Sequence, residues 1–199
     1  LKHALEKAPK LKLHNLCLVL SEGLSKCETD FEKREFGMKA LEAYSYKDDS
    51  DMEKYLLCKS DVGKYYRNLI FRDNSIMLKN IIWNPLVSTP IHGHNSRGCW
   101  VIVTKGQLVE KVFTREDGKP TVVETRILSE GEITYNHNAI GFHSMNNDSK
   151  TTPAVTLHVY HPPYDTTAIM KESGEIFQGA LSYYSKYTKL EEASATGGV

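Results

Sequence analysis

The sequence predicts a mainly β, single-domain protein, residues 1–199, in which a β-barrel follows a helical N-terminal segment. Three observations predict it. From Tyr65 onward, seven or more short apolar runs recur between turn residues with little helical spacing among them. Before Tyr65 the punctuation is helical instead. The length suits one domain, which buries about two-thirds of the surface its unfolded chain exposes. A closed barrel is favoured over an open sandwich because closure removes exposed strand edges. The expected boundaries are 1–64 for the helical segment, 65–188 for the barrel core, and 189–199 for a tail. That tail ends in the small, polar run EEASATGGV and is expected to be disordered.

The elements follow in order. Leu16, Val19, Leu20 and Leu24 form an apolar stripe at helical spacing. Thr29 with Glu32, and Ser50 with Glu53, both fit the capping box. After the second box, Met52, Tyr55, Leu56 and Lys59 predict a short helix that ends before Gly63. These helices are expected to pack on the outside of the barrel. The strand runs are YYRNLIF, IMLKNIIW, STPIHGH, CWVIVT, LVEKVFT, TVVETRIL, EITYNH, IGFHSM and PAVTLHVYHPP. The turns between them include DNS, KGQ, REDGKP and SEG. No internal repeat is visible.

Composition excludes several functions. Lys plus Arg and Asp plus Glu are 25 each, so the formal charge is zero. Nucleic acid and anionic membrane both select a basic face, so neither is expected as a partner. No apolar run approaches the ~20 residues that span a bilayer. LCLVL (16–20) is too short for a signal-peptide core and is followed by Ser-Glu-Gly. The chain starts at Leu1, which suggests a trimmed N-terminus. Cys17, Cys27, Cys58 and Cys99 contain no CxxC and give no disulfide framework, which points to a reducing, cytoplasmic setting. Cys17, Cys27 and Cys58 are expected to be buried and unreactive. The sequon at Asn147 is then a chance match.

His92 and His94 are separated by one residue, so in a strand they share a face. Alone, such a pair is more often a surface or core feature than a metal site. Later strands add His143 and the alternating run AVTLHVY. In that run Thr156, His158 and Tyr160 share one face, and Val155, Leu157 and Val159 share the other. An apolar face covered from outside turns the polar face inward, and a polar barrel interior needs a reason. A metal supplies one, although imidazole ligands suit iron, zinc and copper alike. No carboxylate follows the histidine pair; Cys99 stands in that place. Three neutral ligands leave a divalent ion its full charge, so the site favours an anionic ligand such as a thiolate. His3 and His14 look incidental, His137 reads as a turn residue, and Trp100 points to the opposite face from Cys99 for core packing.

These motifs together resemble the cysteine dioxygenases of the cupin superfamily. The first motif reads His92-Gly-His94, four residues, Cys99, six residues, Gly106; the second reads Gly141-Phe-His143, three residues, Asn147. PAVTLHVYHPPYDT (153–166) is similar to the family's last motif and YYRNLIF (65–71) to its substrate-binding strand. Two positions depart from the pattern: Leu86 stands where a glycine often opens the first motif, and Thr156 where the family has serine.

The resemblance implies a cupin-type β-barrel, a double-stranded β-helix or jelly roll. It implies Fe(2+) held by His92, His94 and His143, with L-cysteine and O2 as substrates and cysteine sulfinate as product, in cysteine catabolism toward taurine or sulfate. Arg67 would hold the substrate carboxylate, with Tyr65 on the same strand face. Tyr160 would place its hydroxyl near the substrate, oriented by His158 and Thr156. Cys99 would form a thioether bond to Tyr160, and a cis peptide is expected near His161-Pro162. A monomer is the family expectation. No flavin or nicotinamide fingerprint of the GxGxxG type is present. The alternatives are a related dioxygenase acting on 3-mercaptopropionate or cysteamine, a zinc cupin with hydrolase or lyase chemistry, and a non-catalytic binding barrel.

Overall fold

The computed structural model describes residues 10–137 and 141–191. His3 and residues 192–199 of the expected tail lie outside this range. Among the described residues two helices come first, α1 (Leu13–Lys26) and α2 (Asp30–Glu42). Thr29 caps α2 with the full capping box: its hydroxyl accepts from Glu32 N, and the Glu32 carboxylate accepts from Thr29 N. Leu16, Leu20 and Leu24 are buried along α1, as their spacing predicts. The second expected helix is corrected. Ser50–Tyr55 is a 3-10 turn capped by Asp49, whose side chain accepts from Asp51 N, and residues beyond Leu56 are irregular. The side chains explain the difference. Of the stripe, Met52 is buried, but Leu56 and Lys59 are exposed, so little apolar burial supports a longer helix.

Fourteen strands follow among the described residues. They are β1 (Tyr65–Arg72), β2 (Met77–Trp83), β3 (Val87–Ser88), β4 (Ile91–His92), β5 (Gly98–Lys105), β6 (Gln107–Glu116) and β7 (Lys119–Ser129). Then come β8 (Ile133–Asn136), β9 (Phe142–Asn147), β10 (Ala154–His161), β11 (Thr166–Met170), β12 (Ile176–Ala180), β13 (Ser185–Lys186) and β14 (Lys189–Leu190). One sheet has the order β14-β13-β1-β2-β10-β5-β8; the other has the order β12-β11-β4-β9-β6-β7, with β3 beside β9. Neighbours are antiparallel except for the parallel pair β1 and β13. This is the double-stranded β-helix. It closes by packing two sheets over a shared interior, where Ile81, Trp83 and Val103 of one meet Leu108, Leu128 and Met145 of the other.

The helices cover the outer face of the first sheet. Leu157, Val159, Trp100 and Ile102 point outward and join Leu16, Leu20, Leu24 and Leu41 in one core cluster. Thr156, His158 and Tyr160 are thereby turned inward, as the alternation predicts. Trp100 points to the opposite side from Cys99 and donates from Nε1 to the Arg34 carbonyl.

Three further corrections concern strands and cysteines. STPIHGH is not one strand: β3 and β4 are two residues each, and His94 lies beyond the end of β4. β11 and β12 are strands that the sequence pattern does not reveal, and Lys189 and Leu190, expected in the tail, form β14. All four cysteines are free, but of those expected to be buried Cys27 is partly exposed and Cys58 is exposed.

Two positions from the motifs explain their residue types. Gly106, the single residue between β5 and β6, has φ +76°, a left-handed conformation that glycine adopts without penalty. Leu86, in the place of the absent motif glycine, has φ 59° and therefore carries backbone strain there. Asn147 is buried and donates to the carbonyls of Trp83, Asn84 and Thr152, a structural role that leaves no exposed sequon.

Candidate active site

His92 ends β4 and faces His143 of β9 across the ladder. His94 reaches the same point from the following loop. Gly93 between them is fixed to β11 twice: its N–H donates to Ala168 O, and its carbonyl accepts from the Thr167 hydroxyl. The three rings converge, with centroid separations of 5.2, 4.7 and 4.8 Å. Their candidate ligand atoms all lie within 4.8 Å of one another. His137 does not join them; its ring lies 5.6 Å from that of Tyr135.

Hydrogen bonds aim the lone pairs. His92 Nδ1 lies 3.0 Å from Pro90 O, so it donates there and leaves Nε2 as the acceptor. His143 Nδ1 lies 2.7 Å from Glu110 Oε1, which leaves its Nε2 facing the cluster. His143 Nε2 and His94 Nδ1 are buried without a hydrogen-bond partner. A cation among the rings would satisfy such atoms. Burial, reinforced by the neighbouring imidazoles, holds the His92 and His94 pKa values well below the ordinary range, so both rings are neutral at pH 7. The residues present therefore fit a metal ion.

Glu110 was not legible in the motif, yet it is fully buried on β6 directly behind His143. Burial opposes its charge, but hydrogen bonds and charge from His143, Arg126 and Thr134 outweigh that and hold its pKa below the usual carboxylate value. The signal was available: Leu108, Glu110 and Val112 share one face of β6, and a carboxylate on an otherwise apolar inward face needs a partner.

The opposite wall is built by register. Across β1, β2, β10 and β5, one row reads Arg67, Ile81, Thr156, Val103; the next reads Leu69, Lys79, His158, Val101. Below these, Met77, Tyr160 and Cys99 are aligned. Arg67 Nη2 donates to the Tyr65 hydroxyl at 2.7 Å, and its guanidinium lies 4.6 Å from that ring's centroid. Thr156 Oγ1 accepts from Trp83 Nε1 at 2.8 Å and lies 2.8 Å from His158 Nε2. His158 Nδ1 lies 3.0 Å from the Tyr160 hydroxyl. A threonine hydroxyl accepts and donates at once, so Thr156 can donate to His158 Nε2 while accepting from the indole, which leaves Nδ1–H to donate to Tyr160. The phenol keeps its own proton for the cavity side, where Tyr164 also meets it. Burial raises the Tyr160 pKa well above its usual value and pushes the Cys99 thiol up to about 12.

The structure thus brings His92, His94, His143, Arg67, His158 and Tyr160 to one cavity, which Lys79 and Tyr164 also line. Thr156 and Trp83 stand behind His158; Tyr65 steadies Arg67; Cys99 lies beside Tyr160. The His161-Pro162 bond that follows is cis. The sequence profile described as cysteine dioxygenase type I matches residues 22–173. The chain belongs to that family. The human cysteine dioxygenase type 1 is 31% identical over 164 residues, covering 79% of this chain and 80% of the human protein. That of Rattus norvegicus is 32% identical over 152 residues, 74% of each. Among solved structures, a Klebsiella pneumoniae protein with a double-stranded β-helix domain aligns with a TM-score of 0.48 and 15% identity. That alignment covers 59% of this chain and 87% of that one.

For this member of the cysteine dioxygenase family, Lys79, Glu110, Trp83 and Tyr164 are the cavity or supporting residues that the motif reading did not single out. A lysine in an apolar strand run was the visible sign of the first.

Proposed function

We propose that the chain is an iron(II)-dependent L-cysteine dioxygenase that adds both atoms of O2 to the thiol sulfur, giving L-cysteine sulfinate. The observation that carries this reading is a cavity with three histidines on one wall, no carboxylate lining it among the described residues, and Arg67 on the other wall. That arrangement calls for a ligand that brings its own anions, a thiolate and a carboxylate. Family membership and the named relatives support the same substrate class.

His92, His94 and His143 would hold the iron, with Glu110 fixing the tautomer of His143. Bound there, iron supplies positions at which a thiolate and O2 meet. The thiol provides the electrons that O2 takes, so no reductant is needed. Arg67 receives the substrate carboxylate through its planar fork, and Tyr65 holds the guanidinium in place. The Tyr160 hydroxyl stays protonated and offers its hydrogen bond toward the substrate, while Trp83, Thr156 and His158 fix its direction. Threonine keeps the hydroxyl that this chain of hydrogen bonds requires.

Cys99 and Tyr160 are direct cross-strand neighbours, which suits the proposed thioether bond. Peptide mapping of protein that has turned over should find their segments joined with the loss of two hydrogens; a reactive Cys99 thiol after many turnovers would refute the bond. Cys99→Ser should slow catalysis without abolishing it.

The substrate assignment is tested at Arg67. A charge-assisted hydrogen bond contributes ~1.5–3 kcal/mol, so Arg67→Ala should lower kcat/KM for cysteine by roughly ten- to a hundredfold. Cysteamine, which has no carboxylate, should change little, and Arg67→Lys should be intermediate. An equal loss for cysteine and cysteamine would make the arginine structural and remove the main support for L-cysteine.

A further inference from the structure

The roles above leave one buried cation of the same cavity unused. Lys79 stands on β2, 2% exposed, on the strand face that also carries Ile81 and Trp83. Lysine normally runs its apolar stem along a surface and ends in water. Here the side chain ends in the cavity. Among the described residues no carboxylate forms an ion pair with it; its neighbours are aromatic rings, Tyr160 at 4.4 Å and Tyr164 at 5.9 Å from the ammonium.

Register places this cation relative to Arg67. Lys79 pairs with Leu69 on β1 and with His158 on β10, whereas Arg67 pairs with Ile81. The two basic residues are therefore diagonal neighbours on one inward face. Such positions lie about 7–8 Å apart, within reach of two long side chains. Glu110, the buried carboxylate, is committed to His143 on the far wall and does not line the cavity. The two cations repel each other, and burial followed by the Arg67 charge lowers the Lys79 pKa to about 7. An anionic ligand relieves both effects; a ligand ammonium worsens them.

We propose that Lys79 is a substrate-binding residue that shares the substrate carboxylate with Arg67, making the cavity select small thiols that carry a carboxylate over thiols that carry only an amine. The inference rests on the thiol dioxygenase reading and deepens it. The competing role is packing: an ammonium over the Tyr160 ring holds that ring in place. A packing role would affect every thiol alike, whereas a binding role separates them by charge.

Anaerobic titration calorimetry of the iron-loaded protein with 3-mercaptopropionate, L-cysteine and cysteamine measures binding without turnover. Lys79→Met removes the charge and keeps the apolar stem; Lys79→Gln keeps a donor and guards against a packing defect in the first variant. Lys79→Met should weaken 3-mercaptopropionate by about ten- to a hundredfold and leave cysteamine unchanged or tighter, with Lys79→Gln between. Because one carboxylate serves both cations, the losses in Arg67→Ala with Lys79→Met should not add. Equal changes for 3-mercaptopropionate and cysteamine in both single variants, or strictly additive losses in the double variant, would overturn the inference and leave the dioxygenase reading standing. If the wild-type protein binds none of the three thiols, both fall together.

Discussion

Glu110 reaches His143 from β6 and fixes which nitrogen of that ring faces the cavity. Its other oxygen accepts from the Thr134 hydroxyl and lies 3.5 Å from Arg126, so the carboxylate is held on both sides. Glu110→Gln keeps the shape but removes the charge, and its amide can present a donor to Nδ1 and reverse the tautomer. Iron affinity should fall about ten- to a hundredfold, as for other partners of metal-binding histidines, and competition against a chromophoric chelator measures it. Unchanged affinity would mean that His143 is oriented by packing alone. At this scale the sequence was informative where spacing encodes geometry. His92 and His94 share a motif, and Thr156, His158 and Tyr160 alternate along one strand. It was silent where a partner comes from a distant strand: the Glu110 contact with His143 spans 33 positions, and that between Trp83 and Thr156 spans 73. Lys79 and Glu110 were visible only as charged residues inside apolar runs, a pattern that says something is buried without saying what it meets.

The elements set those residues in place. Helix α2 lies against β5 at a glycine, Gly37, where an added β-carbon would overlap the Trp100 indole. On the other side of β5, Cys99 touches Tyr160, so helix packing and cavity geometry share one strand. Alanine is intrinsically the better helix former by about 1 kcal/mol, but overpacking a filled core costs ~1–3 kcal/mol. Gly37→Ala should therefore destabilise the fold, read as a lower urea midpoint with an unchanged slope; a higher midpoint would show that Trp100 moves aside freely. The elements that escaped sequence reading are also explicable. β12 is an edge strand with four of its five residues exposed, so it lacks the buried alternation that reveals a strand. β11 beside it nevertheless supplies the Thr167 contact that holds Gly93 between two site histidines. The 3-10 turn at Ser50–Tyr55 carries a capping pattern but too little apolar surface to extend it.

At the scale of the whole molecule, two sheets enclose a polar wall on one side and a histidine cluster on the other. The helices seal the outside of the sheet that carries Arg67, Lys79, His158 and Tyr160. That cover turns the polar face of β10 inward, toward an interior where a charged partner is worth more than in bulk water. Oxidation of a thiol carboxylate in this cavity, at iron held by three histidines, is the proposed activity. It is tested most directly by metal analysis of freshly purified protein combined with oxygen uptake and sulfinate assay on adding L-cysteine. The expected result is stoichiometric iron, oxygen uptake matched to sulfinate formed, and loss of both iron and uptake in His143→Ala. Zinc at the site with no oxygen uptake, or full iron occupancy in His143→Ala, would contradict it.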